Sequence, residues 1–125
     1  MKTVISAAGA PAAIGPYSHA ISVDNFLFTS GQIALDPNTG KLAGDDIKVQ
    51  TEQVLKNLEA VLKANNMCFA NVIKTTVFLT DLADFTVVNA IYATRFPENP
   101  PARSCVQVAG LPGGSKIEIE VIACK

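Results

Sequence analysis

One arginine and two glutamates stand on stretches that otherwise read as core strand. Along Ala102–Ala109 the side chains alternate, so Arg103, Cys105 and Gln107 point one way and Ser104, Val106 and Val108 the other. Along Lys116–Cys124, Ile117, Ile119 and Val121 share one face, and Glu118 and Glu120 share the opposite one. The planar fork of an arginine matches a carboxylate through two parallel hydrogen bonds. A carboxylate within reach of a water can take its proton. These residues are therefore the materials for gripping a small carboxylic acid and adding water to it. The plainer reading, which composition alone favours, is a solvated sheet face carrying cross-strand ion pairs.

Other candidates are weaker. A positive neighbour lowers a thiol pKa, so Cys105 beside Arg103 invites a nucleophile hypothesis. The only histidine is His19, with nothing in the sequence to bring it near, so Cys105 is expected as a wall residue and His19 at the surface. Cys68 and Cys124 are expected as packing or surface thiols. Asn89 sits among Phe85, Val88 and Tyr92, where a polar side chain needs a partner. With one histidine and no CxxC, no metal site is expected.

The elements that must position these residues alternate between two periodicities. Lys2–Ile5 reads as a short strand and Ala7–Pro16, rich in Gly, Pro and Ala, as an irregular segment. Tyr17–Val23 and Phe26–Thr29 flank Asp24-Asn25 as a hairpin. Gly31 marks a bulge or a close backbone approach. Asp46–Asn65 is the clearest helix, with Ile47, Val54, Leu55, Leu58, Val61 and Leu62 in phase. Glu52 with Lys56, and Glu59 with Lys63, are spaced as ion pairs on its outer side. Val72–Thr80 reads as a strand apolar on both faces, and Asp84–Phe96 as a second helix ended by Pro97. Leu111-Pro112-Gly113-Gly114 has the pattern of a type II turn. That turn is expected to make the two C-terminal strands hairpin neighbours. The order β-β-α-β-α-β-β gives an α+β class with a mixed sheet.

A chain of 125 residues is one domain, spanning 1–125, with a core of its own. Its net charge of -1 excludes the electrostatic footprint of a nucleic-acid or anionic-membrane binder. It also leaves little self-repulsion to oppose assembly. Three widely spaced cysteines make a poor disulfide framework and fit a reducing compartment. Val4–Val23 lacks charged residues, but Gly9, Pro11, Gly15 and Pro16 interrupt it. The expectation is a soluble, unprocessed, cytosolic protein without membrane contact.

Several separated motifs also carry a resemblance. Pro101-Ala102-Arg103-Ser104-Cys105-Val106, then Val108-Ala109, Leu111-Pro112 and Ile117-Glu118-Ile119-Glu120, resemble the signature of the Rid family. These are the reactive intermediate deaminases, or YjgF-like proteins, and the match is nearest to the RidA subgroup. Ala12-Ala13-Ile14-Gly15-Pro16-Tyr17-Ser18, Thr29-Ser30-Gly31-Gln32 and Asn71–Val77 are similar to further family motifs, as are Asp84-Phe85 and Asn89 with Tyr92. The resemblance implies a chorismate-mutase-like α+β fold with helices on one face, and a homotrimer with clefts between subunits. It implies cofactor-free hydrolysis of enamine and imine intermediates, such as 2-aminoacrylate and 2-aminocrotonate, to 2-oxo acids and ammonia. Carried over residue by residue, Arg103 binds the substrate carboxylate and Glu118 orients the attacking water, with Glu120 its rival. Tyr17, Ser30, Gly31, Asn89 and Cys105 line the cleft. The stretch Tyr92–Arg103 looks shorter and richer in proline than in many relatives. The alternative class is a non-catalytic trimer that holds small carboxylates or unfolded chains.

Overall fold

The computed structural model describes residues 1–125. Two helices are cut where local chemistry cuts them. The Asp46 carboxylate accepts the Lys48 N–H at 2.7 Å and starts α1, Ile47–Ala64. Asn66, at φ 56°, turns the chain away at the other end. Helix α2 spans Phe85–Ala93, and single tighter turns carry it to Phe96, just before Pro97. On α1, Glu59 lies 4.0 Å from Lys63. Glu52 departs from its expected pairing with Lys56: it accepts two hydrogen bonds from Arg95, at 2.7 and 3.3 Å. That ion pair ties the end of α2 to α1.

Strands β1 (Thr3–Ile5), β2 (Ala20–Val23) and β3 (Phe26–Thr29) form an antiparallel meander, with Asp24 at φ 51° in the β2–β3 turn. The short β4 (Gln32–Ile33) and the long β5 (Val72–Leu79), β6 (Ala102–Gln107) and β7 (Ile117–Cys124) complete the sheet. Its order is β1-β2-β3-β7-β5-β6, with β4 also on β7.

This order corrects one expectation. β6 and β7 are not hairpin neighbours: β5 lies between them, parallel to β6 and antiparallel to β7. The turn at Leu111–Gly114 is present, with Gly113 at φ 65°. It sits in a connection that arches past the end of β5 instead of closing a hairpin. Val108 donates to the Leu79 carbonyl and Thr80 to that of Lys116. The unit β5–α2–β6 wins because a helical crossover returns the chain parallel to the strand it left.

The sheet has two unlike faces. Leu27, Thr75, Val77, Leu79, Ile117, Ile119, Val121 and Ala123 are buried beneath the helices. Their alternates Thr76, Phe78, Glu118, Glu120 and Ile122 face the side no helix covers and are only half-buried. On that side Phe26, Phe28 and Val106 remain 39%, 43% and 44% exposed.

Buried polar side chains on the inner side of α1 fix the strands that lead to the candidate residues. Asn57 donates to the carbonyls of Ile33 and Leu35. Gln50 donates to the Gly44 carbonyl and accepts the Lys116 N–H, each at 2.7 Å, just before β7 begins. His19 is buried, contrary to the surface expectation. Its Nδ1 accepts the Ala7 N–H at 2.9 Å, and its Nε2–H donates to the Pro11 carbonyl at 2.7 Å. The imidazole thus takes the place of missing backbone pairing and holds down the segment that leads to Tyr17.

Replacing Gln50 by leucine keeps the volume and takes the side-chain partner from the part-buried Gly44 carbonyl and Lys116 N–H. Gln50→Leu is expected to cost about 1–3 kcal/mol of stability, read from urea denaturation midpoints.

Candidate functional site

The residues singled out by sequence fall into two clusters on opposite faces of the sheet. Arg103 stands beside Thr75, which stands beside Val121, so all three side chains point to the helix-covered face. Glu118 pairs with Phe78, which pairs with Val106, so these point to the uncovered face. Within one chain Arg103 and Glu118 are two strand spacings apart across the sheet and three residues apart along it, about 14 Å between Cα atoms, with the sheet between their side chains. They cannot meet in one subunit.

The first cluster is built on α2. Phe85, Asn89 and Tyr92 recur at spacings of four and three, which is one stripe of a helix. That stripe faces Arg103. The guanidinium carbon lies 4.8 Å from the Tyr92 ring centroid and 5.3 Å from that of Phe85, over both rings. Nη1 donates to the Asn89 Oδ1 at 2.8 Å. No acidic side chain pairs with it, since the ion pairs of the chain are Glu59–Lys63 and Glu52–Arg95. An arginine has five N–H donors, and only this one is bonded within the chain. The guanidinium borders an open cavity of about 400 Å³ walled by Asn89, Tyr92, Ala93, Phe96, Pro100 and Pro101. The arrangement is a cation held over two aromatic rings and left without a counter-ion, which can receive an anion.

Cys105 lies two residues further along β6, on the same face and packed against the core. Burial pushes its thiol pKa up, against the downward pull of Arg103. It therefore stays protonated at neutral pH and lacks the thiolate a nucleophile needs.

The second cluster lies across the sheet. A cavity of about 430 Å³ is lined by Ile14, Tyr17, Ser30, Gly31, Ile33, Pro112 and Glu118. Gly31 is the close approach anticipated from sequence: a methyl group there would fall 2.7 Å from the Glu118 Cδ and overlap its carboxylate. The carboxylate is laid directly on bare backbone. The Ser30 hydroxyl donates to the Ser18 carbonyl at 2.6 Å, which leaves its lone pairs for a ligand N–H or O–H. Burial pushes the Glu118 pKa up, and the neighbouring Glu120 carboxylate raises it further. Arg103 is too distant within the chain to oppose this. Glu120 shares the face but lies outside the cavity. A raised carboxylate beside bare backbone and a hydroxyl acceptor can hold a water and exchange a proton with it.

Each predicted site residue thus has a definite place. Arg103 and Asn89 belong to the first cluster, with Cys105 beside it, and Tyr17, Ser30, Gly31 and Glu118 to the second. Sequence reasoning took Phe85 and Tyr92 as helix core and missed their role as a platform. Their spacing with Asn89 was the available signal, but it is shared by any buried stripe. In a carbon-13 carboxyl titration, Glu118 is expected to titrate above the ordinary carboxylate value of 4.5. Glu120→Gln is expected to move it only part of the way down, because burial is the larger cause. A Glu118 titrating at or below that value, or unmoved by the substitution, would contradict this electrostatic picture.

Comparison with known proteins places this geometry. A family model described as Endoribonuclease L-PSP matches residues 7–125. The chain is 54% identical over 122 residues to Reactive Intermediate Deaminase A, chloroplastic, of Arabidopsis thaliana, covering 98% of this chain and 65% of the plant protein. It is 50% identical over 123 residues to the 2-iminobutanoate/2-iminopropanoate deaminase of Homo sapiens, covering 98% of this chain and 90% of the human one. Among solved structures, the Rid-family protein YyfA of Yersinia pestis superposes with a TM-score of 0.97 at 48% identity, over the whole of both chains. The YjgF gene product of E. coli gives 0.93 at 44% identity over 98% of each chain. Sequence match over nearly the full length and superposition of the whole fold agree, and the chain belongs to the Rid family, whose family model is described as endoribonuclease L-PSP.

Proposed function

We propose that this protein hydrolyses 2-imino acids and their 2-enamine tautomers, of the size of 2-aminoacrylate and 2-aminocrotonate, to 2-oxo acids and ammonia. The observation that carries the proposal is the unpaired Arg103 guanidinium on its aromatic platform, a preformed carboxylate receptor. The names of the human, mouse and rat relatives, 2-iminobutanoate/2-iminopropanoate deaminase, at 50–52% identity, support it. The family model's description points instead to RNA, but a chain with a net charge of -1 offers no cationic stripe for a phosphate backbone.

In this reading the protein is a homotrimer, and each cleft joins the Arg103 half of one subunit to the Glu118 half of the next. The opposite-face placement of the two halves supports an assembly of this kind. So does the apolar uncovered face, where Phe26, Phe28 and Val106 stand in solvent in the single chain. Arg103 holds the substrate carboxylate, with Asn89 fixing the guanidinium. Glu118 holds a water over the imine carbon and takes its proton as the C–O bond forms. That proton passes to the nitrogen and leaves a carbinolamine; the hydroxyl proton then follows it to the nitrogen through Glu118 as the C=O bond forms and the C–N bond breaks, and ammonia leaves with a 2-oxo acid behind. Ser30 and the Gly31 backbone flank the reacting carbon, and Tyr17 closes the mouth. Cys105 is a wall. Water is the only co-reactant, so the reaction needs no redox partner. We further propose the cytosol as its location, on the odd, widely spaced cysteines.

The test is ammonia release from 2-imino acids generated in place by a pyridoxal-phosphate-dependent dehydratase. Arg103→Lys supplies charge without the fork and is expected to be severely impaired. Glu118→Gln is expected to lower the rate by about 10²-fold or more, Glu120→Gln by less. Cys105→Ser is expected to keep most activity. Binding of 2-oxobutanoate without any ammonia release would replace the enzyme by a non-catalytic carboxylate-binding trimer.

A further inference from the structure

A flat cation with four free donors has many ways to lie, yet this one lies over two rings of a single helix. Asn89 fixes only one of its nitrogens. The nearer of the two rings is that of Tyr92, 4.8 Å from the guanidinium carbon, and what fixes that ring is buried. Tyr92 is among the buried residues, and its hydroxyl shares a 2.7 Å hydrogen bond with the Thr75 Oγ1, also buried. Thr75 is the residue beside Arg103 on the neighbouring strand. The ring also packs on Phe96, at 4.7 Å between centroids and 41° between planes, and Phe96 packs edge-on against Phe69. The ring is thus anchored at its hydroxyl and wedged from the side.

A buried phenol and a buried threonine hydroxyl are a costly way to build a core, because each needs a partner. A phenylalanine and a valine would fill the same space with none. The arrangement makes sense if the ring's orientation is what matters. From this chain of contacts we infer that Thr75 and Tyr92, with Phe85 as second face, form a positioning device that sets the plane of the Arg103 guanidinium for two parallel hydrogen bonds to a substrate carboxylate. Neither Thr75 nor the Tyr92 hydroxyl need touch the substrate; both act through Arg103. The inference rests on the carboxylate-receptor reading of Arg103.

The consequence is specific. Loosening the ring costs affinity only where a fork is available to be misaligned. A lysine in place of Arg103 is a point charge without a plane, and gains nothing from the device. The experiment measures the affinity of the full-length protein for 2-oxobutanoate, and for the uncharged 2-oxobutanamide, by calorimetric titration. Tyr92→Phe keeps the ring and removes its anchor. It is expected to weaken 2-oxobutanoate binding about fivefold, a typical loss for one orienting hydrogen bond, and to leave the amide unchanged. In an Arg103→Lys background the same substitution is expected to have no effect on the carboxylate. Because Thr75→Val alone leaves the phenol unpartnered and can unfold the site, it is made with Tyr92→Phe. The double variant is expected to bind like Tyr92→Phe alone. A purely structural role would give equal losses with Arg103 intact and in the Arg103→Lys background, or equal losses for acid and amide, and either result overturns the inference. Loss in Arg103→Lys with none in Tyr92→Phe overturns the inference alone. Undiminished 2-oxobutanoate binding in Arg103→Lys overturns the carboxylate reading itself, and the inference with it.

Discussion

A residue in a β-strand can face only one side of its sheet, and the rest of this protein's functional architecture is arranged around that constraint. Because β5 separates β6 from β7, and the register sets Arg103 level with Val121, the arginine and Glu118 project to opposite sides. A slip of one residue in β7 would put them on the same side and bury Glu118 beneath the helices. The register is held against such a slip by the clean alternation of buried and half-buried side chains along β7. It is also held by Gln50 at the start of that strand and by the Val121 N–H bonded to Thr29 at 3.0 Å. The scaffold is thus rigid where the candidate residues stand, and each half-site can be preformed in the single chain. Preformed halves lower the ordering cost of binding a small ligand.

The two halves are also chemically complementary. One is cationic, aromatic and free of carboxylates. The other is acidic, with a carboxyl group whose proton is easier to keep because it is partly buried and faces a like charge. A cation brought to Glu118 from outside would favour its ionised form. The same uncovered face that carries Glu118 exposes phenylalanine and valine side chains whose burial rewards association. In the proposed trimer, assembly and site completion draw on one surface.

Much of this was legible in the sequence. The α1 period and the Asp24 turn are local events, decided by a few neighbouring residues. Gly31 as a close approach was legible too, because a glycine between strand-formers needs a reason. The strand pairing was not. The Leu111–Gly114 turn is real, yet a turn fixes only the conformation of the residues in it. Which strands it ends up joining was decided by the α2 crossover, a longer-range signal that competes with the turn. His19 was misread for a related reason: an imidazole among small residues looks exposed until a coil segment is seen to need its two nitrogens. Gln50 and Asn57 were hidden in gaps of an apolar stripe, where most of their partners are backbone groups 22 to 66 residues away. Motif resemblance singled out Arg103 and Glu118 but not that a single chain places them on opposite faces.

The central claim is that Arg103 and Glu118 serve one site from two different subunits, and subunit mixing tests it most directly. Arg103→Ala and Glu118→Gln chains, each inactive alone, would be denatured together in equal amounts and refolded, with mixed assemblies verified by mass. Each cleft is whole when its arginine comes from one variant and its glutamate from the other, so about a quarter of wild-type ammonia release is expected to return in a closed ring of randomly mixed subunits. Mixed assemblies no more active than their parents would show that the two residues do not meet in one cleft, and the account would fail.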